Sequence, residues 1–329
     1  MSYPNHPLMP SSATDRLPLA AILAGITLAI GVLWAFSDTL AVLASRWDAD
    51  PQYSHGFLVP LIALGILWVR RDRLRPAVPA DANGPREKEP FPASPSAWGL
   101  PVLAAGLALR YYAVEIYVEW FEHLALVLCA FGMVLTAGGW TALKWAWPAC
   151  AFLVFMLPLP FRLETAAAEP LRSAATVSAV YLLQVCGIPA VASGNAILAG
   201  PEVRVDVVEA CSGLRMLMVF FALTTAAAIF NDSRPLWQRL AMVAAAIPIA
   251  IASNVVRIAL TAALYYGGRP ALADGLHDHA ELLMVPLALG LLWAFLALLD
   301  RIFVPVAETD AASWQVPAPS LGPGLPARS

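Results

Sequence analysis

Charged residues are scarce in this sequence: Asp, Glu, Lys and Arg make up 13% of its 329 residues, where a soluble domain carries about 25%. That deficit excludes a soluble globular enzyme. Net charge is −3, from 20 basic and 23 acidic residues, with no basic patch and no acidic tail, so nucleic acid is not an expected partner. Only four cysteines occur, Cys129, Cys150, Cys186 and Cys211, and they show neither CxxC nor another metal-ligand spacing. Neither a disulfide framework nor a metal or cofactor site is predicted. What fills the chain instead is apolar: 60% hydrophobic residues and a mean hydropathy of +0.69. The solvent for most of it is a lipid bilayer.

A helix crossing about 30 Å of hydrocarbon needs roughly 20 mainly apolar residues. Stretches at 17–36, 56–70, 97–114, 122–138, 144–160, 211–230, 238–257 and 282–300 meet that need. The predicted fold class is an all-α polytopic membrane protein of about eight transmembrane helices. Residues 1–16 are polar and lack the cationic start and Ala-x-Ala exit of a cleaved leader, so they read as a cytoplasmic tail before a retained span. The transmembrane domain is 17–304. It is interrupted at 76–96 by a proline-rich charged linker and followed at 305–329 by a Pro/Gly/Ser/Ala tail predicted to be disordered. Basic residues orient the spans: Arg16, the Arg70 to Lys88 group, Lys144, Arg234, Arg239, Arg301 and Arg328 make 12 of the 20. The alternate connections hold only Arg46, Arg162, Arg172, Arg204 and Arg269. The first set is therefore cytoplasmic and the second lies on the outer face of an inner membrane, with both termini inside.

Two segments of the outer connections break the pattern. Residues 165–187 are Ala-rich and helical in composition, but Glu164, Glu169 and Arg172 near their start predict an interfacial or re-entrant helix rather than a span. From Ala196 the chain reads Ala-Ile-Leu-Ala, then Gly200-Pro201, then alternating Val203, Val205 and Val207 against Arg204 and Asp206. That is a β-hairpin signal, leading directly to Glu209-Ala210-Cys211. Such a hairpin either presents an edge strand to an extended peptide or simply caps the bundle.

Ionisable groups at the mouths of spans stand out in so apolar a chain. Cys211 and Arg215 sit four apart at the start of a predicted span, and a thiol at a helix N-terminus beside a cation is held toward its nucleophilic thiolate. Read alone, the same pattern suits a buried inert thiol with Arg215 paired to Glu209. Asn254 and Arg257, three apart, lie at the outer end of the seventh span, where an Arg stabilises an oxyanion or merely anchors the helix at the interface. His277-Asp278-His279, with Glu281, precedes the last span, and either His suits general acid-base work or plain solvation. Charge bias puts Cys211, Arg257 and His277 on one face independently. Together they have the composition of a thiol acyl-transfer site.

The Glu209-Ala210-Cys211-Ser212-Gly213-Leu214-Arg215 segment, followed by Asn254-Val255-Val256-Arg257-Ile258 and a His before the last span, resembles the exosortase/archaeosortase family. Tyr53-Ser54-His55-Gly56-Phe57-Leu58-Val59-Pro60, Phe155-Met156-Leu157-Pro158-Leu159-Pro160 and Gly194-Asn195 are weaker matches in the family's order, and the resemblance runs over roughly residues 45–300. It implies a membrane cysteine transpeptidase or protease. Its partners are anchored proteins that end in a short motif such as Pro-Glu-Pro, an apolar span and a basic cluster. The resemblance casts Cys211, Arg257 and His277 as catalytic. The family often has Gly four residues after that His, whereas position 281 is Glu, and His279 is a second candidate. Arg215, Asn254, His279, His55 and Glu209 are expected to bind substrate. Two other readings compete with the enzyme: a transporter or polysaccharide-export permease, and a non-catalytic scaffold for surface assembly.

Overall fold

The computed structural model describes residues 19–71, 95–201, 203–207, 213–231 and 234–303. The 1–16 and 305–329 tails, and all but the end of the 76–96 linker, lie outside that set. Ten helices run in the order α1 (Leu19–Ala35), α2 (Ser37–Ala49), α3 (Leu58–Val69), α4 (Gly99–Glu115), α5 (Glu119–Phe152), α6 (Phe161–Val185), α7 (Leu214–Phe230), α8 (Leu236–Tyr266), α9 (Pro270–Asp278) and α10 (Ala280–Ile302). Strands β1 (Ala190–Ser193), β2 (Ala196–Ala199) and β3 (Val203–Asp206) come between α6 and α7.

Four stretches among the described residues are long and apolar enough to cross a bilayer: Pro51–Val69, Glu119–Met156, Leu236–Tyr266 and Met284–Ile302. A fifth counts if α1 and α2, bent by 65° where they meet, form one span. The eight predicted crossings thus reduce to four or five by this measure. Helices α4 and α7 fall short at 17 residues each, and the predicted 122–138 and 144–160 spans merge into α5.

Helix α5 is nevertheless not one straight rod. A 34-residue α-helix extends about 51 Å, yet both ends of this region meet the 13-residue α2: Thr39 Oγ1 donates to Glu122 Oε2 at 3.3 Å, and Trp47 Nε1 donates to the Met156 carbonyl at 3.0 Å. The chain doubles back at Gly139, whose φ of 68° and ψ of −163° break the helix in a region open only to glycine. Its first arm packs on α4, where Gly106 and Gly132 let Cys129 and Leu103 press close. The second arm runs beside α3, with Arg70 Nε donating to the Trp145 carbonyl at one end and His55 bonded to the Phe155 carbonyl at the other.

Helix α8, at 31 residues or about 46 Å, is longer than the hydrocarbon is thick. Its last turns carry an accessory layer. Ile258, Ala259 and Ala262 bury against Ala175, Ala179, Val180 and Leu183 of α6 and against Ala190, Ile197 and Val207 of the sheet region. Helix α6, predicted to be interfacial or re-entrant, is not among the candidate spans and instead flanks this end of α8. The predicted hairpin is present as β2–β3, paired from Ala196↔Asp206 to Ala199↔Val203, and gains a third antiparallel strand, β1, joined by the two-residue turn Gly194-Asn195 with Gly194 at φ +59°. At the far end, Arg234 forms a bidentate pair with Asp300 at 2.6 and 2.9 Å, and Arg239 Nε donates to the Ala228 carbonyl at 2.6 Å. Those contacts tie α7, α8 and α10 together opposite the sheet.

Candidate active site

Polar side chains inside an apolar bundle have to be held, and on α8 four of them line up. Ser253, Asn254, Arg257 and Thr261 are all buried, with Arg257 only 7% exposed. Spacings of three and four put them on adjoining faces of one helix. Arg257 Nη2 donates to Asn254 Oδ1 at 2.7 Å, so the amide fixes the guanidinium instead of leaving it to sample rotamers. The hydroxyls of Ser253 and Thr261, one turn to either side of Arg257, are buried with no hydrogen-bond partner among the described residues. An unpaired buried hydroxyl costs about 1–3 kcal/mol, so the sequence keeps two groups here at a net loss to stability.

The start of α7 lies against this stripe. Gly213, its N-cap, adopts φ +81°, and a Cβ on it would lie 2.8 Å from Asn254 Nδ2. A side chain at 213 is thus excluded twice, by the left-handed backbone and by the amide. Leu171 and Ala175 of α6 join Gly213, Leu217, Ala250, Ile251 and Asn254 around a small cleft. Two sequence motifs 40 residues apart, the one ending in Arg215 and the one containing Arg257, therefore share a contact through Gly213 and Asn254. Asn254, expected to bind substrate, is engaged with Arg257 itself.

The other predicted site residues fall out as follows. Cys211 and Glu209 lie outside the described residues, with Cys211 two positions before Gly213 in sequence. Arg215 stands in the first turn of α7, half-buried. His277 occupies the last turn of α9, its side chain outside the described set, and His279 is exposed at the start of α10, with its Nδ1 3.1 Å from the Gly275 carbonyl. Among the described residues no three His, Cys, Asp or Glu side chains converge as metal ligands.

His55 belongs to a different cluster. It sits in the 3-10 turn Pro51–Phe57, with Nε2 3.2 Å from the Phe155 carbonyl. Around it, Tyr53 Oη and Gln52 Nε2 donate to the two carboxylate oxygens of Glu164 at 3.1 and 2.8 Å, while Tyr53 Oη accepts from the Leu159 N–H at 3.2 Å. Gly56 packs directly on the Trp47 indole. This clamp of Trp47, Gln52, Tyr53 and Glu164 was missed in the sequence. The available signal was that Tyr53 and Leu159 each lie within a resemblance motif.

A family model for the transmembrane exosortase (Exosortase EpsH) matches residues 47–294, about three quarters of the chain, from the Trp47 of the clamp to the interior of α10. No curated protein and no solved structure matches it. The matched range takes in the clamp, the sheet, the α8 stripe and the start of α7 together, and the chain belongs to the transmembrane exosortase family.

Proposed function

We propose that the protein is a membrane cysteine protease or transpeptidase that cuts the C-terminal sorting signals of exported, membrane-anchored proteins. One observation carries the reading: a buried Arg257, oriented by Asn254, sits where Asn254 also touches Gly213, two residues from the only cysteine that has polar neighbours in sequence. In the reaction, the Cys211 sulfur attacks the scissile carbonyl and its proton passes to a histidine, His277 or His279. Arg257 stabilises the negative oxygen of the tetrahedral intermediate, and its pre-set guanidinium costs no reorganisation at that moment. Collapse breaks the peptide bond, the histidine returns the proton to the leaving amine, and an acyl-thioester remains on Cys211 until water or an amine resolves it.

The sheet end of the bundle is, on this reading, the outer face of the inner membrane. The opposite end carries Arg70, Arg234, Arg239 and Arg301, as the bias of basic residues toward the cytoplasm requires, and the fold-back at Gly139 supports counting α5 as two crossings. A substrate held by its own transmembrane helix presents its scissile bond at that level.

The test is processing in vivo of a reporter that ends in Pro-Glu-Pro, an apolar helix and an arginine cluster. Cys211→Ala and Cys211→Ser are expected to leave it full length. Normal processing in either variant, with the protein still in the membrane, would refute the enzyme.

A further inference from the structure

Strands in an antiparallel ladder turn the N–H and C=O of alternate residues to opposite sides. Two backbone bonds fix the phase of this sheet. The Val207 N–H donates to the Asn195 carbonyl at 2.9 Å, so by the β2–β3 register Val203, Val205 and Val207 bond inward to β2. Arg204 and Asp206 must then turn their backbone groups to the free side. Across the sheet, the Gly200 N–H donates to the Pro189 carbonyl at 2.8 Å, which leaves Ala190 and Ala192 facing outward from β1.

The two edges are treated differently. At β1, Gln184 of α6 donates its Nε2 to the Ala190 carbonyl at 2.8 Å and covers that end of the edge. At β3, the strand order β1-β2-β3 leaves no neighbour, and no described residue bonds the outward N–H or C=O of Arg204 or Asp206. Their side chains do not cover the edge either: they pair with each other at 3.0 Å and are 67% and 60% exposed. Proteins normally blunt such an edge. Among the described residues one edge is partly covered by a side chain and the other, which ends four residues before Cys211 at Val207, has none over it.

We propose that the β3 edge docks the substrate: the extended segment next to the substrate's membrane anchor adds as a fourth strand, held by the backbone groups of Arg204 and Asp206. The inference rests on the function proposed above. An extended polypeptide is the occupant that fits, because two residues' worth of open donors and acceptors is far too small an interface for a second folded copy. A peptide tethered in the same membrane needs little more, since its effective concentration is already high. Ile197 and Val207, buried against α6 and α8, hold the platform in place next to the helix that carries Arg257.

Proline separates backbone from side chain at this edge. Arg204→Pro deletes an outward N–H that takes no part in the β2 ladder, a position where an edge strand tolerates proline, whereas Arg204→Ala removes the side chain alone. With purified full-length protein in liposomes and the Pro-Glu-Pro reporter, Arg204→Pro is expected to raise KM about fivefold to tenfold over Arg204→Ala, with kcat within twofold. Equal KM for the two variants overturns the docking proposal. A photocrosslinking amino acid at position 204, in a Cys211→Ala background that holds the reporter uncut, covers the case in which the proline variant does not fold. It is expected to capture the reporter's segment beside the anchor, and capture from position 191 on β1 but not from 204 contradicts the proposal. The Cys211→Ala chain also separates the two claims: if it still cuts the reporter, the enzyme reading fails, whereas an inactive Cys211→Ala chain with no 204 crosslink sinks only the docking.

Discussion

Two polar clusters hold this bundle at its sheet end, and they differ in how completely they are satisfied. In the clamp, Trp47, Gln52, Tyr53 and Glu164 all find partners, and Glu164 uses both carboxylate oxygens, while the Nδ1 of His55 beside them has no bond among the described residues. On α8, Asn254 grips Arg257, but the buried hydroxyls on either side of it make no bond to any described residue. A saturated network has nothing left to offer a substrate and acts as structure. An unsaturated one retains unused hydrogen-bonding capacity, which in a native protein calls for a specific explanation such as a catalytic role or an ordered water. On the function proposed above, the clamp serves architecture and the stripe serves chemistry.

The comparison predicts opposite behaviour when each cluster is damaged. The largest effect is expected from Arg257→Lys: reporter processing falls by about 10²–10³-fold, the range for loss of one oxyanion donor, while the thermal midpoint in detergent moves by a few degrees at most. Gly213→Ala comes next. Its Cβ meets Asn254 from a left-handed backbone, with a strain of about 1–3 kcal/mol, so it is expected to lower processing more than tenfold, and its drop in thermal midpoint, though not its processing, is expected to be partly rescued by Asn254→Ala, which removes the obstructing amide but also the partner of Arg257. For the clamp the order reverses. Glu164→Ala orphans Tyr53 and Gln52 and is expected to lower stability by about 1–3 kcal/mol, read as a drop in thermal midpoint, with the activity of the remaining folded protein within about threefold of wild type. The smallest stability effect belongs to Ser253→Ala, which removes an unpaired hydroxyl: stability holds or rises by a few tenths of a kcal/mol, while processing falls several-fold. If Ser253→Ala destabilises as Glu164→Ala does, the distinction between the clusters collapses.

How much of this was legible in sequence differs between the same two regions. Arg257 and Asn254 were visible because a cation beside an apolar run is rare, although a lone Arg there also reads as an interfacial anchor, and their spacing on one helix face requires no tertiary knowledge. The clamp was not, because Gln52 and Glu164 are ordinary residues of outer connections, and only folding brings positions 112 apart within 2.8 Å. The hairpin was read from Val203, Val205 and Val207, yet β1 escaped notice because Ala190-Val191-Ala192-Ser193 lacks a strong alternation. Continuous apolar length supports only four or five of the eight crossings, since 17-residue helices such as α7 are short for a bilayer and α5 folds back at Gly139 without a break long enough to end the helix. The interfacial reading of 165–187 rests on three charges near its start, and the packing of α6 on α8 does not distinguish it from a span.

The central claim, that Cys211 and Arg257 form one acyl-transfer site, is tested most directly by mass spectrometry of the protein mixed in liposomes with the Pro-Glu-Pro reporter. Wild-type protein is expected to carry a hydroxylamine-sensitive adduct on Cys211 equal in mass to the reporter's N-terminal fragment, and Arg257→Lys is expected to accumulate almost none over the same interval. Reporter cleavage without any adduct on Cys211, or equal adduct in the Arg257→Lys chain, would contradict it.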